Sequence, residues 1–264
     1  MHTPMRSLML TFVFAAGLAA QGEDPKKPDP KKPDPKVAET IKELKAAVSD
    51  RQMAKDVEAI GLIDTLLKDF ENYVEKDQRD IVNALADVYR SRQRPPDQIG
   101  LYEAAAVALG RMGKDGGTAL LRAYNEDKIG KRDYVRVRAV ILRNLGKVQD
   151  ESHAKFLTDR AVRDPEDEIM AAAGEALGNY DAAKQNVRKQ IFETLLRKFM
   201  EVESGAKANL DPGDAQVKSH KDTLTRISDP WNTTMARLTG QTHRTAEDWN
   251  RWWNKTGKSS KWDK

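Results

Sequence analysis

The chain has 264 residues, of which 33% are charged, 39% hydrophobic and 6% aromatic. So low an apolar share excludes a multi-span membrane protein, and the regular spacing of Ala, Leu, Ile and Val among the charges argues against wholesale disorder. Lys and Arg number 45 against 41 Asp and Glu, a formal charge of +4, and an excess this small over such a length names no acidic partner by itself.

Residues 1–6 contribute one positive charge at Arg6, and residues 7–20, SLMLTFVFAAGLAA, form a continuous run of apolar and small residues. A bilayer span needs about 20 apolar residues. This run stops short before Gln21, Gly22, Glu23 and Asp24, so residues 1–20 read as a cleavable signal peptide and the product as secreted or periplasmic. Gly17, Ala19 and Ala20 offer the small residues that a signal peptidase uses, with Leu18 among them. There is no cysteine, which leaves packing as the source of stability and removes a cysteine-linked lipid anchor.

Residues 24–36 read DPKKPDPKKPDPK, a pentad written twice and begun again. Proline fixes φ and supplies no backbone donor, so residues 21–36 are expected to form an extended, hydrated linker. From Val37 the pattern becomes helical and the region is expected to be all-α. Val37, Ile41, Leu44 and Val48 recur every three or four residues, as do Val57, Ile60, Ile63, Leu67 and Phe70, and then Ile81, Leu85 and Val88. Pro95 and Pro96 stop that helix and restart the chain. A helix with one apolar stripe cannot bury it alone, so successive helices must stack.

Three segments align without gaps: LYEAAAVALG ending at Gly110, VRAVILRNLG ending at Gly146 and IMAAAGEALG ending at Gly178. Leu109, Leu145 and Leu177 precede the glycines, and alanine is the commonest residue at the interior positions. Small residues let helix backbones approach, leucine fills the hole between them, and glycine is expected to adopt the left-handed turn that ends a helix. A second helix follows each unit, over 118–124, 152–162 and 186–202. Helical hairpins recurring at this interval make a solenoid pattern.

These residues resemble the HEAT-repeat family, in the short alanine-rich form whose units begin near Asp-Pro and pass through Val-Arg to Ala-Leu-Gly. Asp164-Pro165 followed by IMAAAGEALG and Val137-Arg138 running to Leu145-Gly146 carry the likeness, over roughly residues 50–205. Tyr102 and Met170 stand where the pattern has Arg138, and Asn144 interrupts the alanine column. The resemblance implies an α/α superhelix, a HEAT/armadillo-like solenoid with a concave face, over residues 37–228, and a role as a binding scaffold.

All five tryptophans, Trp231, Trp249, Trp252, Trp253 and Trp262, lie in the last 34 residues, so residues 229–264 are expected to form a cap and basic tail. Thr245 is placed to cap a short helix with an acid three residues on, and Trp249, Trp252 and Trp253 share one face of it. LTGQ at 238–241 followed by W-x-x-W-W resembles a tail on secreted bacterial HEAT-repeat proteins that closes the array. Large rings bury a great deal of area, which suits a cap. Ligand contact is the competing reading, with Trp262, beside Lys255, Lys258, Lys261 and Lys264, the ring expected to stay exposed.

His153, His220 and His243 are far apart in sequence and outside any H-E-x-x-H pattern, so neither metal nor cofactor is expected. No G-x-S-x-G, phosphate-binding glycine loop or cysteine nucleophile occurs. Asp164, Glu166, Asp167 and Glu168 sit where a helix dipole favours acids. Residues 203–214 are expected to be a long loop, either an insertion or a binding loop. Arg132, Arg136, Arg138 and Arg143 crowd together but share their turns with Val137, Val140 and Ile141. That mixture fits a solvated helix face better than a nucleic-acid stripe, and Arg132 and Arg136 remain candidate partner contacts. The function expected is an exported, non-enzymatic scaffold for a protein partner in the cell envelope. The alternatives are a carbohydrate- or cell-wall-binding module working through the C-terminal tryptophans, and an accessory or lyase-like subunit.

Overall fold

The first helix begins inside the proline-rich arm. Asp34 caps it, its Oδ1 accepting the Lys36 N–H at 2.9 Å, and Pro35 takes the first helical position, where no donor is needed. This helix, α1 (Pro35–Val48), therefore starts before the linker boundary expected at residue 36. The computed structural model describes residues 32–208 and 214–262. The expected signal peptide, 1–20, and the arm up to residue 31 lie outside the described residues.

Eleven helices and no strand occur among the described residues. After α1 come α2 (Asp56–Lys68), α3 (Glu75–Arg90), α4 (Gly100–Leu109), α5 (Gly113–Tyr124), α6 (Val135–Lys147) and α7 (Glu151–Arg163). Then follow α8 (Asp167–Leu177), α9 (Gln185–Ala206), α10 (Ala215–Thr239) and α11 (Ala246–Trp252), the last running on into a π turn over Trp253–Gly257. Helices α2, α4, α6, α8 and α10 pack successively in one layer, while α1, α3 and α5, then α7, α9 and α11, pack in the other. Short connections join the layers, so each helix buries its stripe against a chain neighbour and against a helix two along. None of the described helices is long and apolar enough to cross a membrane.

The spacing in α1 places Val37, Ile41, Leu44 and Val48 in the core, and Ile81, Leu85 and Val88 of α3 are likewise buried. In α2 the buried line is Ala59, Ile63 and Leu66, and Val57 stands 82% exposed. The expected stripe holds at Ile63, with Ile60, Leu67 and Phe70 packed partly buried against the core, and fails at Val57. α2 packs against both α1 and α4, and that pair of neighbours selects the Ala59 side. The second helices of the repeats are longer than their apolar residues suggested, α5 starting at Gly113 and α9 reaching Ala206. Residues 203–206 of the expected loop are thus helical, because Val202, Glu203 and Ala206 pack inward and hold the last turn. The boundary expected between 228 and 229 falls inside α10.

The repeat leucines Leu109, Leu145 and Leu177 are fully buried. The glycines beside them serve a different purpose from the one expected. Gly110 and Gly178 are right-handed, with φ −62° and −63°, and Gly146 lies within α6. A Cβ on Gly110 would come within 2.9 Å of the Asn144 Cβ on α6, and one on Gly146 within 2.5 Å of the Ala176 carbonyl oxygen on α8. One on Gly178 would meet the Thr234 hydroxyl of α10 at 2.9 Å. Each glycine lets the next helix of its layer come close. The left-handed C-cap appears instead at Gly240, φ 74°, closing α10.

Candidate functional site

Arg132 and Arg136 are exposed and already tied to neighbouring units. Arg136 Nε lies 3.0 Å from Glu103 of α4, and Arg132 Nε lies 3.3 Å from Glu166 before α8. Arg143 Nε donates to Glu175 of α8 at 2.7 Å. These cross-links reach backward and forward from α6, each contributing on the order of 0.2–1 kcal/mol at such exposure. Arg138, from the same run, turns inward and is 9% exposed.

The C-terminal rings are core. Trp249, Trp253 and Trp262 are buried, and Trp252 is half-buried. All four surround Phe192 of α9 at ring-centroid distances of 5.1 to 5.6 Å. Trp262, the ring expected to stay exposed, is 3% exposed; its Nε1 donates to the Gly257 carbonyl at 3.1 Å, and Lys189 Nζ stands 5.5 Å from its ring centre. The reason is Arg188. Its guanidinium, buried in α9, donates to the Leu238 carbonyl at 3.1 Å and to the Trp262 carbonyl, so the tail is drawn over the end of the array. Thr245 caps α11 as its sequence implies, accepting the Asp248 N–H at 3.1 Å. Trp231 belongs to α10, where its Nε1 donates to the Met170 carbonyl beside Gly174.

A groove of about 510 Å³ runs between α7 and α9. On α7 the facing stripe is Ala154, Thr158 and Val162, and on α9 it is Val187, Ile191 and Thr194. These positions recur every three or four residues, which puts each set on one helix face. Short side chains on α7 leave the space that a leucine there would fill. The rim is charged. Asp159 lies 3.7 Å from Arg163 and Glu201 2.7 Å from Lys198, each along its own helix. Lys155 on one wall and Arg197 on the other have no ion-pair partner among the described residues. The groove is therefore apolar along its floor and net positive at its edges. It went unrecognised in the sequence; the signal available was the short side chains at Ala154 and Thr158 on one face of α7.

No group of three or more His, Cys, Asp or Glu side chains placed to hold a metal ion occurs among the described residues. The acids of the 164–168 run divide their work. Asp164 is buried and accepts from Arg160 Nη1 at 3.3 Å, Glu166 pairs with Arg132, and Asp167 Oδ1 accepts the Thr223 hydroxyl of α10 at 2.7 Å.

Comparison with known proteins adds no relative: no family model, no curated protein and no solved structure matches the chain.

Proposed function

We propose that the protein is an exported, non-enzymatic scaffold of the HEAT type that docks a segment of a protein partner in the groove between α7 and α9. The observation that carries this reading is the groove itself, with a floor of Val162, Val187 and Ile191 and two unpaired cations, Lys155 and Arg197, on opposite walls. Its α7 wall runs from Ala154 to Arg163, about 15 Å of helix, enough for two or three turns of a partner helix. The complement is an amphipathic segment with apolar residues on one face and carboxylates beside it. Export rests on the apolar run at 7–20, and the cell envelope is the compartment this reading assigns.

The test places a photo-reactive side chain at Thr194 of the full chain and exposes it to an envelope extract. The cross-linked partner peptide is expected to be acidic and amphipathic, and its yield to fall about tenfold or more in the double charge reversal Lys155→Glu with Arg197→Glu. A cross-link insensitive to that reversal, or one to polysaccharide alone, overturns the reading.

A further inference from the structure

On the opposite side of α7 from the groove, and independent of it, lies a second pocket of about 420 Å³ lined by Tyr124, Lys131, Arg138 and Arg160. The packing around it explains why it is there. α5 meets α7 through the edge of Tyr124 on Phe156, ring centroids 5.3 Å apart, and the chain leaving α5 arches over 125–131 before it enters α6. Arg138 rises from α6 into the space below that arch, and Arg160 reaches it from α7.

The charges there do not cancel. Asp164 is the buried carboxylate of the cluster, accepting from Arg160 Nη1 at 3.3 Å and from the Glu166 N–H at 3.2 Å, with the Tyr124 hydroxyl 3.5 Å away. Arg138 forms no ion pair among the described residues, and its guanidinium lies against the Tyr124 hydroxyl. Glu126 is engaged by Arg90 Nε at 2.9 Å, and Asp127 and Lys131 line the pocket as well. Only Arg160 has a carboxylate partner here, and Arg138 faces the pocket without one among the described residues. The Nε–H groups of Arg138 and Arg160 are both buried without an acceptor. Those Nε–H groups are closed off from solvent, so the pocket presents to a ligand the outer edges of the two guanidinium groups, and an oxyanion matches their charge and fork geometry.

We propose that this pocket binds a tetrahedral oxyanion, phosphate or sulfate, either free or carried as a monoester on a larger molecule. The oxygens of one such group accept from two arginines on different helices at once, while Lys131 at the opening faces the remaining charge. Asp164 already accepts from Arg160, so a ligand that engages both arginines needs oxygens directed toward more than one helix. The volume leaves room for the organic part of a monoester beyond the anion.

Isothermal titration of the full chain with inorganic phosphate, at constant ionic strength set by chloride, tests this. Saturable binding at one site is expected, about tenfold weaker in Arg160→Gln, a variant first shown to be folded because Arg160 is the partner of the buried Asp164. Lys131→Gln is expected to weaken it less, and Arg138→Lys, which keeps the charge and removes the fork, to weaken it as much as Arg160→Gln. Phenyl phosphate competing at equal or higher affinity assigns the site to a monoester, and weaker competition assigns it to the free ion. Heat no greater than that of chloride, an affinity unchanged in a folded Arg160→Gln protein, or acetate binding as well as phosphate would each overturn the proposal.

Discussion

The two ends of the helical array are closed differently, although a buried arginine serves at both. Near the N-terminal end a single guanidinium gathers the loops: Arg94 is fully buried, donating to both Asp56 oxygens at 2.9 and 3.1 Å, to the Val48 carbonyl at 2.9 Å and to the Ser91 hydroxyl at 2.8 Å. The tyrosines around it continue the network, with the Tyr134 hydroxyl donating to the Arg94 carbonyl and the Tyr89 hydroxyl to the Tyr102 carbonyl at 2.7 Å. At the C-terminal end, Phe192 is enclosed by four indoles, and Arg188 fixes the tail above them. Helix ends leave carbonyls without partners, which a buried arginine satisfies; the side of a last helix leaves apolar area, which aromatic rings cover. What each end exposes decides which solution it takes.

The largest test of this contrast is Phe192→Ala. Removing the ring at the centre of the indoles is expected to cost about 3–5 kcal/mol in urea denaturation and to shift tryptophan emission to the red. Retention of both would mean that the cap is held by Arg188 alone. At the other end, Arg94→Ala is expected to cost about 3 kcal/mol by stranding the half-sheltered Asp56 carboxylate, and Arg94→Met with Asp56→Leu to recover most of that. A small loss in the single variant would show that the polar clamp contributes little.

Between the ends, the close helix approach separates glycines by purpose. Gly146→Ala is expected to destabilise by about 1–3 kcal/mol, because its Cβ would run into the Ala176 backbone. Gly61→Ala, at an open helical position, is expected to stabilise by about 0.5–1 kcal/mol. Equal thermal midpoints for the two would undo the packing argument.

Titration distinguishes the ends more gently. Burial pushes the Tyr89 hydroxyl well above its ordinary range, with Tyr102 a lesser cause. The folded chain then keeps this proton while the unfolded chain releases it, so stability is expected to be full below pH about 10 and to decline as the pH rises beyond it. Tyr89→Phe should flatten that decline. The smallest effect belongs to Asp150, whose carboxyl is held below its usual value by the Ser152 hydroxyl and N–H it caps. Asp150→Ala is expected to cost about 1 kcal/mol at neutral pH, and the difference from the parent to vanish as the pH falls below about 4, where the capping carboxylate is lost.

Much of the array was legible from spacing. Leu109, Leu145 and Leu177 recur because each fills the same hole, and Thr245 with Asp248 marks a helix start by chemistry that acts over three residues. The roles of Gly110, Gly146 and Gly178 were not legible, since a glycine that ends a helix and one that admits a neighbour look alike until the neighbour is placed. Trp262 was misread for a related reason: its burial depends on Arg188, 74 residues away. Neither the α7/α9 groove nor the Arg138 pocket has a contiguous signature, because each is formed where two helices fail to fill the space between them.

By itself the sequence determined that the region after the proline-rich arm is helical and that its helices come in related pairs, because helix periodicity and capping are local properties of the chain. Tertiary structure alone decided that Val57 of α2 stays outside, which arginines of α6 point outward, and that Trp262 joins the buried indoles. Those outcomes depend on which surfaces meet, and the free energy of burial belongs to the pair of surfaces rather than to either residue.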